Sequence, residues 1–150
     1  VLNTALPAIA VMARQEPGED GWRGHVATIA SLAAFVAGPS APAYCAAKSA
    51  VQRWTEARDA SERRRGIRLH AVCPGFIRTP MTAENPFPMP LLMDAEDAAR
   101  RTLRGIARGR LRIAYPWPLY ALARVTGALP PGLRNRLMAA APPKPAGSTS

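Results

Sequence analysis

The chain has 150 residues, with 20 Lys and Arg against 10 Asp and Glu and a formal net charge of +10. At 48% hydrophobic residues it fits one globular domain. No apolar run approaches ~18 residues, and no charged segment leads into a short apolar one, so a membrane-spanning or targeting segment is not expected. Two cysteines, Cys45 and Cys73, are too few and too scattered for a disulfide framework or a metal site, and read as reduced thiols of a cytoplasmic protein. The charge is almost all arginine and gathers at Arg63–Arg65 and between Arg100 and Arg112. Such clusters on helices are solvated faces more often than ligand surfaces, so nucleic acid is not an expected partner.

In chain order, Leu2, Leu6, Ile9, Val11 and Met12 stand close to helical spacing and predict a first helix over residues 1–14, kinked at Pro7. Residues 15–23 form a turn-rich polar loop. His25 to Ala30 is a strand, with His25 a partly exposed strand residue. Residues 33–42 are small and rich in Pro and Gly, a loop expected to sit against a substrate. Helix formers from Pro42 to Arg65 predict a long helix, whose closing arginines complement the macrodipole before the glycine cap Gly66. Ile67 to Cys73 is a second strand stopped by Pro74-Gly75, with Leu69 and Val72 buried in a parallel sheet and His70 structural.

Thr82 to Leu92 is apolar and broken by Pro86, Pro88 and Pro90. Asp94 is placed to cap a helix whose first turn holds Glu96 and Asp97 and which runs to about Arg108, ended by Gly109. Residues 111–114 are a short third strand. An amphipathic run, Leu119 to Leu129, and a last short helix through Met138 follow, then a Pro/Ala/Ser-rich tail, 140–150, expected to be disordered. Trp117, Tyr120, Leu122, Val125 and Leu129 with Arg124, Arg134 and Arg136 suit a helix packed on the sheet or a partner better than one resting on an anionic bilayer. The expected fold is α/β: a partial doubly wound parallel sheet of three strands, with helices on both faces and a helical C-terminal extension. Residues 1–139 form one domain, split into 1–92 and the extension 93–139.

The chemistry gathers between Ser31 and Lys48. Tyr44 and Lys48 stand four apart in Tyr-Cys-Ala-Ala-Lys, so a helix puts them on one face, one turn apart. An ammonium fixed beside a phenol favours the phenolate, which makes Tyr44 a candidate general acid/base. Ser31 follows the first strand, where its hydroxyl points into the space at the strand's carboxyl end; such ends are where open α/β sheets bind ligands.

This pattern resembles the short-chain dehydrogenase/reductase family, which places a Ser after a central strand and Tyr-x-x-x-Lys on the next helix. The spacing from Ser31 to Tyr44, Pro74-Gly75 after the second strand, Thr79-Pro-Met81 beyond it and Asn3 near the start agree, over roughly residues 1–82. The resemblance implies a Rossmann-like fold, Asn3, Ser31, Tyr44 and Lys48 as catalytic residues, and NAD or NADP held by Tyr44, Lys48, Pro74, Gly75, Ile77 and Thr79. It also implies a carbonyl/alcohol substrate, apolar by the composition of the variable lid at 82–92, and a homo-oligomer. The simpler reading of Asn3 is a polar residue at a helix terminus, and that of Thr79 a hydroxyl capping the next turn. No glycine-rich dinucleotide turn occurs, so the chain reads as the C-terminal part of a longer enzyme, inactive by itself. The competing readings are a catalytically incomplete unit acting by association through an exposed sheet edge, or a basic helical tail docking on membranes and placing the protein at a membrane periphery.

Overall fold

Three strands, β1 (Gly24–Ile29), β2 (Ile67–Pro74) and β3 (Arg112–Tyr115), pair in parallel in the order β1-β2-β3. The register runs from Gly24↔Ile67 to Ile29↔Val72 and from Ala71↔Arg112 to Pro74↔Tyr115. Parallel pairing requires crossovers. Helix α2 (Pro42–Glu62) joins β1 to β2, and α4 (Ala95–Ala107) joins β2 to β3; α1 (Leu2–Met12) precedes the sheet, α3 (Pro80–Ala83) is one turn, and α5 (Trp117–Ala128) and α6 (Pro131–Ala139) close the chain. The computed structural model describes residues 1–83 and 88–139. The lid residues 84–87 and the tail 140–150 lie outside these.

The central strand is buried along its whole length, Arg68 and His70 included, as a strand covered on both faces must be. Ile67 and Leu69 pack with Ile9, Met12, Val26 and Trp54; Ala71 and Cys73 pack with Leu32, Phe35, Val51 and Leu119. The other face turns Val72 toward Ala98 and Ile106 of α4, with Ile113 and Tyr115 beside it. The expected α/β fold with helices on both sides of a three-stranded parallel sheet is the one observed.

Local departures have local reasons. Helix α1 continues through Pro7, burying Ala5 and Ile9. A 3₁₀ turn, Leu32–Phe35, opens the segment expected to be loop throughout, because the Ser31 hydroxyl caps it. Arg63–Arg65 is also a 3₁₀ turn, ended by Gly66 at φ +76°, a left-handed conformation that suits glycine. Asp94 occupies the N-cap position of α4 without capping it: its carboxylate accepts from Arg78 Nε at 2.9 Å, a charge-assisted bond that displaces the helix amides. Helix α5 packs inward through Leu119, Tyr120 and Ala123. Among the described residues no helix is long and apolar enough to cross a membrane.

Candidate functional site

The carboxyl end of β1 leads directly to Ser31, whose Oγ accepts from Ala33 N at 3.1 Å. That bond engages one lone pair and leaves the hydroxyl proton free to donate. Pro42 opens α2, where its missing N–H costs nothing, so Tyr44 falls in the first turn. Tyr44 is 49% exposed, and among the described residues its hydroxyl has no hydrogen-bond partner. Lys48, one turn on, lies with Nζ 5.6 Å from the centroid of the Tyr44 ring and donates to the Ile29 carbonyl at 3.0 Å. Helix spacing thus brings Tyr44 and Lys48 together, and the Lys48 bond holds both against the strand end that carries Ser31.

Asn3 sits in the exposed first turn of α1, and no hydrogen bond joins its side chain to Ser31, Tyr44 or Lys48. One feature of its backbone is set by sequence. Pro7, four residues on, lacks the N–H that an α-helix would aim at the Asn3 carbonyl, so that carbonyl keeps acceptor capacity.

The segment after β2 is pinned from two sides. Gly75 N donates to the Tyr115 carbonyl at 2.7 Å, and a β-carbon on Gly75 would lie 3.0 Å from Pro116 and 3.3 Å from Leu32, so glycine permits this approach. Ile77 bridges Met93, with Arg78 N bonded to the Met93 carbonyl at 2.8 Å and Met93 N to the Phe76 carbonyl at 3.0 Å. Thr79 opens α3: its carbonyl accepts from Thr82 N and Ala83 N, while its hydroxyl lies 3.3 Å from that of Thr82. The capping itself is done by Thr82, whose hydroxyl accepts from Thr79 N at 2.9 Å.

Behind the site Cys73 is fully buried, and burial pushes its thiol up to about 12, which removes it as a nucleophile. Among the described residues no group of three or more His, Cys, Asp or Glu could hold a metal ion. A cavity of about 570 Å³ opens between residues 34–42, the start of α2 and Asn135 of α6, walled by Ala34, Val36, Pro39, Pro42 and Cys45. Ser31, Tyr44 and Lys48 are not in its wall. Sequence reasoning placed the loop at 33–42 against substrate but missed Asn135, which reaches the cavity only through the packing of α6.

The model of the short chain dehydrogenase family matches residues 2–87. An uncharacterized oxidoreductase of Myxococcus xanthus is 36% identical over 108 residues, 72% of this chain and 43% of that protein. The crystal structure of 3-hydroxyacyl-CoA dehydrogenase type-2 from Mycobacterium avium superposes with a TM-score of 0.62 at 29% identity, over 75% of this chain and 49% of that one. A short chain dehydrogenase from Burkholderia cenocepacia in complex with NADP gives 0.67 at 25% identity, over 87% and 50%. The chain therefore spans half or less of the length of these relatives. With the family model covering more than half of its residues, the chain belongs to the short-chain dehydrogenase family of oxidoreductases.

Proposed function

We propose that this protein is an NAD(P)-dependent oxidoreductase acting on a carbonyl/alcohol pair, with Tyr44 as its general acid/base. One observation carries the reading: Lys48 is held one turn from the exposed Tyr44 hydroxyl, at the strand end beside Ser31. The donor set suits a nicotinamide riboside, since a free hydroxyl and an ammonium on one helix face can bond a ribose diol. Tyr44 and Lys48 would hold that ribose, and Pro74, Gly75, Ile77 and Thr79 would line the nicotinamide. The nicotinamide supplies or takes the hydride.

The chain's own residues do the rest. Ser31 donates from Oγ to the carbonyl oxygen, where negative charge grows; such a donor is worth about 2.7–4 kcal/mol in comparable sites. Tyr44 gives its proton to that oxygen in reduction and removes it in oxidation. The Lys48 ammonium stabilises the phenolate left behind. The Asn3 carbonyl, left without its helical donor by Pro7, would hold a water that returns the proton. The apolar cavity beginning at Cys45 supports a substrate with an apolar group. We read residues 1–139 as one domain, with 1–92 carrying the site, in a cytoplasmic homo-oligomer; both cysteines are free and buried, in keeping with a reducing compartment.

The test is nicotinamide-dependent turnover of a carbonyl panel by the full-length protein that carries this chain, as wild type and as Tyr44→Phe, with circular dichroism to check the fold. Turnover that the substitution removes supports the assignment. Turnover that survives it, or none that depends on nicotinamide, overturns it.

A further inference from the structure

Helix α4 carries its charge unevenly. Arg100 is neutralised by Asp97 at 2.5 Å and Glu96 at 3.8 Å. Five further carboxylates are taken as well: Asp20 by His25, Glu56 by Arg112, Asp59 by Arg68, Glu62 by Arg58 and Arg65, and Asp94 by Arg78. Arg101, Arg104, Arg108 and Arg110 form no ion pair among the described residues, yet all four line one concavity of about 180 Å³ between α4 and β3.

Two glycines build it. Gly105 lets the helix settle on β3: a β-carbon there would lie 2.7 Å from the Ile113 side chain, and Ile113 and Tyr115 form the floor. Gly109, at φ +62°, then turns the chain back, with Gly109 N bonded to the Ile106 carbonyl and Arg110 N to the Gly105 carbonyl. This Schellman pattern carries Arg110 to the wall already formed by the helix arginines. The helix dipole accounts for Arg104 and Arg108 near the C-terminus. It accounts neither for Arg101, two turns earlier, nor for the return of Arg110. Arg101 and Arg104, and Arg104 and Arg108, also repel at helical spacing, a cost that a bound anion would reverse.

We propose that this concavity binds a small phosphate-bearing anion, with Arg101, Arg104, Arg108 and Arg110 as its ligands. Guanidinium groups match phosphate oxygens in pairs. The volume lies below the ~300 Å³ from which pockets for drug-sized ligands begin, so the site takes a phosphate or diphosphate group rather than a whole nucleotide. It lies apart from Ser31, Tyr44 and Lys48, none of which touches it.

The experiment titrates the protein with inorganic pyrophosphate by calorimetry at fixed ionic strength. The wild type is compared with R104Q/R108Q and with R134Q/R136Q, which removes the same charge from α6. Saturable binding, weakened at least about tenfold in R104Q/R108Q alone, is the expected result. No saturable binding, or equal weakening in both variants, overturns the proposal, because the anion would then sense only the net charge. A second arm pellets the protein with phosphatidylglycerol vesicles. Pelleting that pyrophosphate reverses assigns the phosphate to a lipid headgroup at this site, whereas pelleting that it leaves unchanged, with no pyrophosphate binding, counts against the site. Arg104, Arg108 and Arg136 are exposed and Arg134 is half-buried, and circular dichroism verifies the folding of both double variants.

Discussion

At the scale of single residues, Tyr44 and His70 make opposite cases. Tyr44 is exposed and its hydroxyl has no partner among the described residues, so Tyr44→Phe removes a proton donor while disturbing little packing; loss of a general acid/base lowers kcat by roughly 10²–10⁴-fold. An unchanged cofactor affinity in the same variant would separate that role from a binding one. His70 is fully buried, and its Nδ1 lies 2.7 Å from the Arg110 carbonyl, so that nitrogen carries the proton. Its Nε2 then accepts from His25 Nδ1 at 2.9 Å, in a stacked pair, and His25 Nε2 faces Asp20 at 2.8 Å. Burial first, then the nearby His25 and Arg68, hold His70 below its usual 6.5, against the opposing pull of the Arg110 carbonyl and Asp59. A depressed folded value stabilises the fold above 6.5 and withdraws that stability as pH falls. Asp20, lowered from 3.8 mainly by its bond to His25, adds loss only at more acid pH. Urea unfolding is therefore expected to show stability declining from pH 7.5 to 5, and His70→Gln, less stable at pH 7.5, to show a flatter decline. An equal slope in both proteins would contradict this.

Among elements, the contact of α5 with the Leu32–Phe35 turn is the most exacting. A β-carbon on Gly127 would overlap the Phe35 carbonyl, a backbone atom that cannot rotate away. The same contact sets Phe35 edge-on to Tyr120, with ring centroids 5.3 Å apart. Gly127→Ala raises helix propensity by about 1 kcal/mol. Overpacking costs typically about 1–3 kcal/mol and here has no side chain to absorb it, so the net effect is a loss. A lowered urea midpoint with unchanged far-ultraviolet dichroism is the expected signature. Because the turn begins at Ser31, the variant should also depress turnover in the assay described for Tyr44.

On the scale of the whole molecule, Arg112 ties three elements together. Its guanidinium donates to both Glu56 oxygens, at 2.5 and 2.8 Å, and to Tyr120 Oη at 3.0 Å, and it lies over the Phe35 ring. Burial raises the Glu56 carboxyl, but the hydrogen bonds and charge of Arg112, with the charge of Arg53, more than offset it and hold the group below 4.5. Glu56→Gln keeps the shape and removes the charge. Hydrogen bonds to charged groups contribute about 1.5–3 kcal/mol, and partial exposure places this pair at the lower end. A double-mutant cycle with Arg112→Met measures the coupling, and additive losses would show that the tie contributes nothing.

The order and kind of the elements were legible in the sequence because they rest on local spacing: the apolar period of α1, Leu69 and Val72 of β2 before the stop at Pro74-Gly75, the capping glycines Gly66 and Gly109. Tyr44 and Lys48 were legible for the same reason, since four residues on a helix is one turn. The sheet-facing side of α2 was not. It buries Gln52, Thr55, Asp59 and Glu62, a polar stripe that hydrophobic periodicity reads as solvent-facing. It is stable because Thr28 meets Thr55 at 2.6 Å and Asp59 accepts from Leu69 N at 2.8 Å. Those partners arrive from other strands. His25 meets His70 across 45 residues, and Glu56 meets Arg112 across 56. The sequence by itself determined the elements and the Tyr-Lys turn, whose energetics are local. The parallel register and the crossovers decided every pairing between distant charges and the convergence of the α4 arginines, because a chain's own spacing carries no information about which strand lies beside which.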